Sequence, residues 1–241
     1  MMRIDNRKFN EIRKVKITPH FISSTPGSVL IELGSTKVLC SAIWEFGVPA
    51  FLLNKGRGWL TAEYGMLPGS TLERKSREGR LGRPDGRIFE IQRLVGRSLR
   101  AVVDMELLGE KTIWIDCDVL QADGGTRSAA ITGSFIALYF AFKNMQEQKL
   151  LLKNPIRDYL AAVSLGRVNG ELMLDLAYQE DSKAEVDLNI VMTDKEKIIE
   201  IQGTAESKPF SQDELSEMIN LAKNGIRELI EIQKQVINKR Y

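Results

Sequence analysis

Histidine is almost missing from this chain: His20 is the only one in 241 residues. That removes histidine-based zinc sites, and a serine triad would have to use His20 itself, with no Gly-x-Ser-x-Gly elbow beside it. Cysteine is scarce too. Cys40 and Cys117 lack a Cys-x-x-Cys spacing and lie in strand-like apolar runs, so they read as reduced core residues of a cytoplasmic protein. No apolar run approaches the ~20 residues of a membrane span. The start, MMRIDNRKFNEIRK, has no apolar centre of the kind that a secretory signal carries, so no membrane partner is expected. An excess of one charge is also lacking. The 34 basic and 32 acidic residues leave a net +2, so any affinity for a polyanion has to come from local clustering. No Gly-x-x-x-x-Gly-Lys-Ser/Thr occurs and no Gly-x-Gly-x-x-Gly follows the first strands, which sets aside those two phosphate-site templates.

What is present is an apolar fraction of 43%, enough for a sizeable core in one large domain or two small ones. The stretch LQADGGTRSAAITGS (residues 120–134) stands out. It follows an alternating run, IWIDCDV (113–119), that reads as a strand, and it leads into ITGSFIALYFAF, which suits a buried helix. Gly124 and Gly125 thus occupy a strand-to-helix turn. There the first helical N–H groups lack intrahelical partners and the macrodipole is positive, so an anion binds readily. Thr126 adds a hydroxyl and Arg127 a planar cationic fork, which favours phosphate.

Basic clusters lie elsewhere. Residues 3–16 carry Arg3, Arg7, Lys8, Arg13, Lys14 and Lys16 against Asp5 and Glu11, and read either as a solvated arm or as a phosphate-contacting one. Over 68–87, PGSTLERKSREGRLGRPDGR sets Arg74, Lys75, Arg77, Arg80, Arg83 and Arg87 against Glu73, Glu78 and Asp85. Glycine and proline keep this segment irregular, and it suits either a solvated loop or the tracking of a nucleic-acid backbone. RIFEIQRLVGRSLRAVV (87–103) predicts a helix with Ile88, Ile91, Val95, Leu99 and Val102 on one face. Arg93, Arg97 and Arg100 form a basic stripe away from it, partly offset by Glu90. Arg87 opposes the dipole at the helix start, a penalty that a bound anion would relieve.

Residues 28–33 and 36–44 predict a hairpin about Gly34-Ser35, and 58–66 a further strand. Lys153-Asn154-Pro155 breaks the pattern and divides the chain into domains over 1–152 and 153–241. Beyond it, YLAAVSLGRV and ELMLDLAY flank Asn169-Gly170, the signature of a hairpin with a type I′ turn. EVDLNIVM (185–192) alternates strictly, which places Asp187 on a polar face, and KIIEIQG (197–203) is the next strand. Ser211-Gln212-Asp213-Glu214 is a capping box that opens a final amphipathic helix.

Carboxylates supply the second ingredient. Asp181 closes the extension of the strand over 171–178. If the link Ser182-Lys183-Ala184 folds the chain back, Asp181 and Asp187 converge and form a magnesium or manganese site with waters and phosphate oxygens. The plainer alternative is two exposed acids around a turn. Asp116 and Asp118 share a strand face beside the glycine turn and are a rival pair. The residues thus indicate an anion site, basic segments and candidate metal carboxylates, and leave open whether the anion is a nucleophile or part of the substrate.

Five stretches carry a resemblance: GWLTAEYGMLPGST, DGRIFEIQRLVGRSLRAVVD, IDCDVLQADGGTRSAAITG, LDLAYQEDSKAEVDLNIVMT and IIEIQGTAE. In this order the chain resembles the ribonuclease PH family of phosphorolytic 3′–5′ exoribonucleases, related to polynucleotide phosphorylase and to exosome ring subunits. The resemblance implies an α+β fold, an α/β sandwich-like N-terminal unit of the ribosomal-protein kind followed by a smaller α+β unit. It implies phosphate bound by Arg87, Gly125, Thr126 and Arg127, with Asp181 and Asp187 as catalytic carboxylates that hold Mg2+ or Mn2+. RNA-contacting cations would be Arg74, Arg77, Arg93 and Arg97. The implied activity trims 3′ ends of tRNA precursors, and of rRNA, with inorganic phosphate as co-substrate and nucleoside diphosphates as products, in a homo-hexameric ring built as a trimer of dimers. The alternative is a non-catalytic RNA-binding ring subunit of an exosome-like assembly. Gly69 stands where the family usually has arginine, and Asp85 and Ile88 replace the usual glycine and threonine around Arg87, which bears on RNA and phosphate affinity.

Overall fold

A computed structural model of the chain describes residues 3–77 and 86–239. Glu78, Arg80, Arg83 and Asp85 of the basic segment lie outside the described residues. The fold is α+β, with one five-stranded and one four-stranded sheet. The first sheet comprises β1 (Val15–Pro19), β2 (Gly27–Leu33), β3 (Thr36–Phe46), β4 (Trp59–Met66) and β5 (Lys111–Gln121), in the order β1-β2-β3-β5-β4. β4 runs parallel to β5 and the other pairings are antiparallel. Helix α1 (Gly86–Ala101) makes the crossover from β4 and buries Ile91, Leu94, Val95 and Leu99, close to the predicted face. The short α2 (Met105–Leu108) then leads into β5 and is capped by Asp104.

Helix α3 (Thr126–Glu147) is apolar around nearly its whole circumference, from Ser128 to Phe142. Such a helix must be enclosed, and α3 packs on β2 and β3 and also on β6 (Leu160–Val168) of the second sheet. The second sheet adds β7 (Glu171–Leu174), β8 (Val186–Thr193) and β9 (Ile198–Ala205), in the order β7-β6-β8-β9. Asn169 and Gly170 both have positive φ, 51° and 81°, as a type I′ turn requires. The final helix, α5 (Gln212–Asn238), opens on the Ser211–Glu214 capping box and covers β6 and β8. One apolar core runs from β2 through α3 to β6 and α5. Cys40 and Cys117 sit opposite each other within it as free thiols. Among the described residues, no helix is long and apolar enough to cross a membrane.

The strand expected over 171–178 stops at Leu174. Asp175 takes a left-handed φ of 53°, and the chain turns into a single helical turn, α4 (Tyr178–Asp181). Asp181 therefore stands on a helix and not at a strand end, on a turn held by the ion pairs of Arg3 with Glu180 and of Arg13 with Asp175.

Candidate active site

The glycine turn leads directly into α3, with Gly124 at φ 74° and Gly125 at φ 66°. A Cβ on Gly124 would lie 2.5 Å from the Leu176 carbonyl oxygen, and one on Gly125 would lie 2.9 Å from Nη2 of Arg13. Glycine is thus required twice, by dihedral and by space. The carbonyls of the turn are drawn away from the helix start. Thr36 Oγ1 donates to the Gly124 oxygen at 2.7 Å and accepts from the Asp123 N–H at 2.9 Å. Arg13 donates to the oxygens of Asp123 and Gly124. With these carbonyls held back, the first N–H groups of α3, which have no intrahelical partner, mark an anion cradle.

A cavity of about 560 Å³ opens in front of that cradle. Gly124, Gly125, Thr126 and Arg127 line it, together with Arg87 from the start of α1, and with Asp181, Asp187, Ser164 and Asn189 from the second sheet and α4. The Tyr64 hydroxyl on β4 donates to Thr126 Oγ1 at 2.8 Å, which leaves the Thr126 O–H free to donate into the cavity. The Arg127 guanidinium lies 3.2 Å from Gln202 Oε1 and 3.8 Å from Glu90 Oε1, so β9 and α1 fix its direction. Ser164 Oγ is buried with no hydrogen-bond partner among the described residues, an unused donor beside the glycine turn.

Asp181 and Asp187, apart in the chain's secondary structure, meet in this cavity. Burial raises the Asp181 carboxyl above its ordinary value, against the pull of Arg87 and Arg127. Burial, and then the like charge of Asp181, push Asp187 up to about 6 in spite of Arg127. Two facing carboxylates that repel each other fit a divalent cation, whose charge would reverse both shifts. Among the described residues no cluster of three or more acidic, histidine or cysteine groups could hold a metal, so water and substrate oxygens would complete the coordination.

The N-terminal arginines fit neither reading made of them. Arg3 is fully buried at its side chain and pairs with Glu180 at 2.7 Å. It also donates to the carbonyl oxygens of Leu174 and Asp175. Arg13 meets Asp175 through Nη2 at 2.6 Å and Nε at 2.9 Å, and Arg7 reaches Asp175 at 3.4 Å. The arm is an internal clamp on α4 and on the glycine turn. Residue pattern could not reveal it, because Asp175 and Glu180 lie more than 160 residues away from these arginines.

Arg74 lines the cavity with Lys75. Arg77 and Arg93 are exposed and do not line it. Arg97 pairs with Glu200 of β9 at 2.8 Å, and Arg100 of the same stripe donates to the Leu60 oxygen and covers the Trp59 ring. The stripe is thus partly spent on internal contacts. The rival carboxylates do not join the site: Asp116 and Asp118 project from the face of β5 opposite Ile115 and Cys117, which pack in the core. Asp116 instead neighbours Glu63 and accepts from Ser41, and burial followed by Glu63 raises its carboxyl. Among the described residues neither pairs with an arginine. Gly69, in the place usually taken by arginine, has open space around it, so packing does not impose glycine there.

A helix start suited to an anion and two carboxylates that line one cavity suit an enzyme that transfers phosphoryl-linked groups. The chain belongs to the 3′ exoribonuclease family, whose domain 1 pattern matches residues 11–143 and whose domain 2 pattern matches residues 158–225. It is 56% identical over 237 residues to the ribonuclease PH of Syntrophomonas wolfei, covering 98% of this chain and 99% of that one. To the ribonuclease PH of Moorella thermoacetica it is again 56% identical over 237 residues, covering 98% of this chain and 95% of the relative. The structure resembles a chain of the Archaeoglobus fulgidus exosome solved with RNA bound to the active site, with a TM-score of 0.81 at 25% identity, over 95% of this chain and 92% of that one. The protein is accordingly a phosphorolytic 3′–5′ exoribonuclease, a nucleotidyltransferase-type enzyme.

Proposed function

We propose that the cavity holds inorganic phosphate as the nucleophile and trims the 3′ ends of tRNA precursors, with rRNA as a further substrate. The convergence of Thr126, Arg127 and Arg87 with Asp181 and Asp187 in one cavity is the observation that carries this reading. The α3 N-terminus, the Thr126 hydroxyl and the guanidinium groups of Arg87 and Arg127 hold the phosphate and offset its charge. A phosphate oxygen attacks the phosphorus of the terminal phosphodiester in line, the bond to the preceding 3′ oxygen breaks, that oxygen takes up the proton that the attacking hydrogen phosphate gives up and becomes the new 3′ hydroxyl, and a nucleoside diphosphate leaves. Two phosphates must approach each other, so cations on both sides are a requirement of the reaction. Asp181 and Asp187 would hold Mg2+ or Mn2+, which supplies positive charge at the scissile phosphate. Arg74, Arg77, Arg93 and Arg97 would contact the RNA backbone. The working assembly is a homo-hexameric ring, a trimer of dimers, in the cytoplasm. The likeness to a chain of an exosome supports a multi-subunit assembly.

The experiment incubates 3′-extended tRNA with magnesium, with and without inorganic phosphate, and identifies the products. Phosphate-dependent nucleoside diphosphates are expected. Monophosphates formed without phosphate would instead point to hydrolysis, and binding without products to a non-catalytic ring subunit.

A further inference from the structure

Phosphate and carboxylate chemistry account for the polar wall of the cavity, but not for the aromatic ring that stands on it. Tyr178 is 53% exposed, although it opens α4, the turn that ends on half-buried Asp181. Tyr178 and Asp181 are separated by three positions on that helical turn, so they share one of its faces, and both line the cavity. Among the described residues, the Tyr178 ring stacks on no other ring. Its helix is nevertheless held firmly. The Tyr178 N–H donates to Asp123 Oδ1 at 3.2 Å, the Ala177 N–H donates to Glu180 Oε2 at 3.0 Å, and Glu180 is locked to buried Arg3. Met66 and the loop residues Leu72, Arg74 and Lys75 line the same cavity.

Resting on the reading of the cavity as the phosphorolytic site, we propose that Tyr178 is the stacking platform for the terminal nucleobase of the RNA. Each nucleobase has a flat π-face, and a solvent-exposed ring on a rigid turn gains from covering one, whatever its sequence. The position also matches the order of groups in a nucleotide. The carboxylates and phosphate cradle would lie at the reacting phosphorus, and the ring stands one helical turn from Asp181 on the same face of α4, lining the same cavity. Tyr178 thus selects for an intact base at the 3′ end and sets the depth to which the strand enters. It takes no part in the bond exchange.

The test is a coupling measurement on the full protein. Wild type and Tyr178→Leu, which keeps the bulk but loses the flat face, are each given an RNA with a normal 3′-terminal nucleotide and one whose last nucleotide is abasic. Wild type should lose about 5- to 100-fold in kcat/KM on the abasic RNA, and Tyr178→Leu should lose a similar factor on normal RNA. The variant should then be nearly indifferent to the abasic change. Tyr178→Phe should behave as wild type, and KM for phosphate should stay constant throughout. Equal abasic penalties in wild type and Tyr178→Leu would overturn the stacking assignment. A wild-type protein that releases no nucleoside diphosphate from normal RNA would overturn the underlying reading instead, so the two failures are distinct.

Discussion

Arg13 and Asp175 form a buried, two-pronged ion pair, with the guanidinium 2.6 and 2.9 Å from the two carboxylate oxygens, while the same guanidinium holds the carbonyls of Asp123 and Gly124. One side chain therefore joins the second sheet to the turn that starts α3. Arg13→Ala should destabilise the protein by about 3–5 kcal/mol, because buried Asp175 keeps only the longer contact with Arg7 at 3.4 Å as counter-charge. Arg13→Lys keeps a charge but loses the planar fork, and should raise KM for phosphate more than KM for RNA. Urea unfolding and steady-state kinetics check the two parts.

The clamp also dictates acid sensitivity. Burial by itself raises Asp175, but hydrogen bonds and charge from Arg13 outweigh it, and the carboxyl ends below its ordinary value. Glu180 follows the same course through Arg3. A depressed carboxyl contributes stability above its unfolded value and loses that contribution as the pH falls through the folded one. The clamp's contribution to the urea midpoint should therefore be flat near neutrality and be lost below about pH 4. In Arg3→Gln, the acid drop should be shallower. An identical profile in that variant would count against the clamp.

Tyr64→Phe removes the donor to Thr126 and nothing else of size. We expect the fold to persist and KM for phosphate to rise by roughly 2- to 12-fold, the equivalent of one ordinary hydrogen bond. An unchanged KM would mean that the Thr126 hydroxyl needs no orienting partner.

Arg127→Ala and Asp187→Asn should separate activity from stability. Each should lower the rate of nucleoside diphosphate release by about 10²-fold or more. Removing the Asp187 charge also ends its repulsion with Asp181, so the thermal midpoint of Asp187→Asn should equal or exceed that of wild type. Rates near wild type in either variant would reject its role.

Gly69→Arg tests a departure specific to this chain. Space around Gly69 is open, so the substitution should be tolerated. A new cation near the RNA path should tighten RNA binding and steepen its salt dependence by up to about 0.7 in log–log slope. Fluorescence anisotropy at several salt concentrations gives that slope directly.

The sequence by itself determined the local half of this enzyme. Alternation and turn residues located the strands about Asn169-Gly170, the capping box located α5, and the glycines of GGTR located a helix start suited to anions. These features depend on neighbours a few positions apart, and period and turn chemistry are written at that range. The family was legible too, through motifs that run along the chain in order. The tertiary structure alone decided which charges face one another. It turned Arg3, Arg7 and Arg13 inward onto Asp175 and Glu180, ended β7 early so that Asp181 stands on α4, and set Asp116 and Asp118 off the far side of β5. It also brought Tyr64, Thr36 and Ser164 to the cradle. Pairings such as Tyr64 with Thr126 and Arg3 with Glu180 cross 62 and 177 residues, and their strength depends on burial, which a linear pattern does not encode.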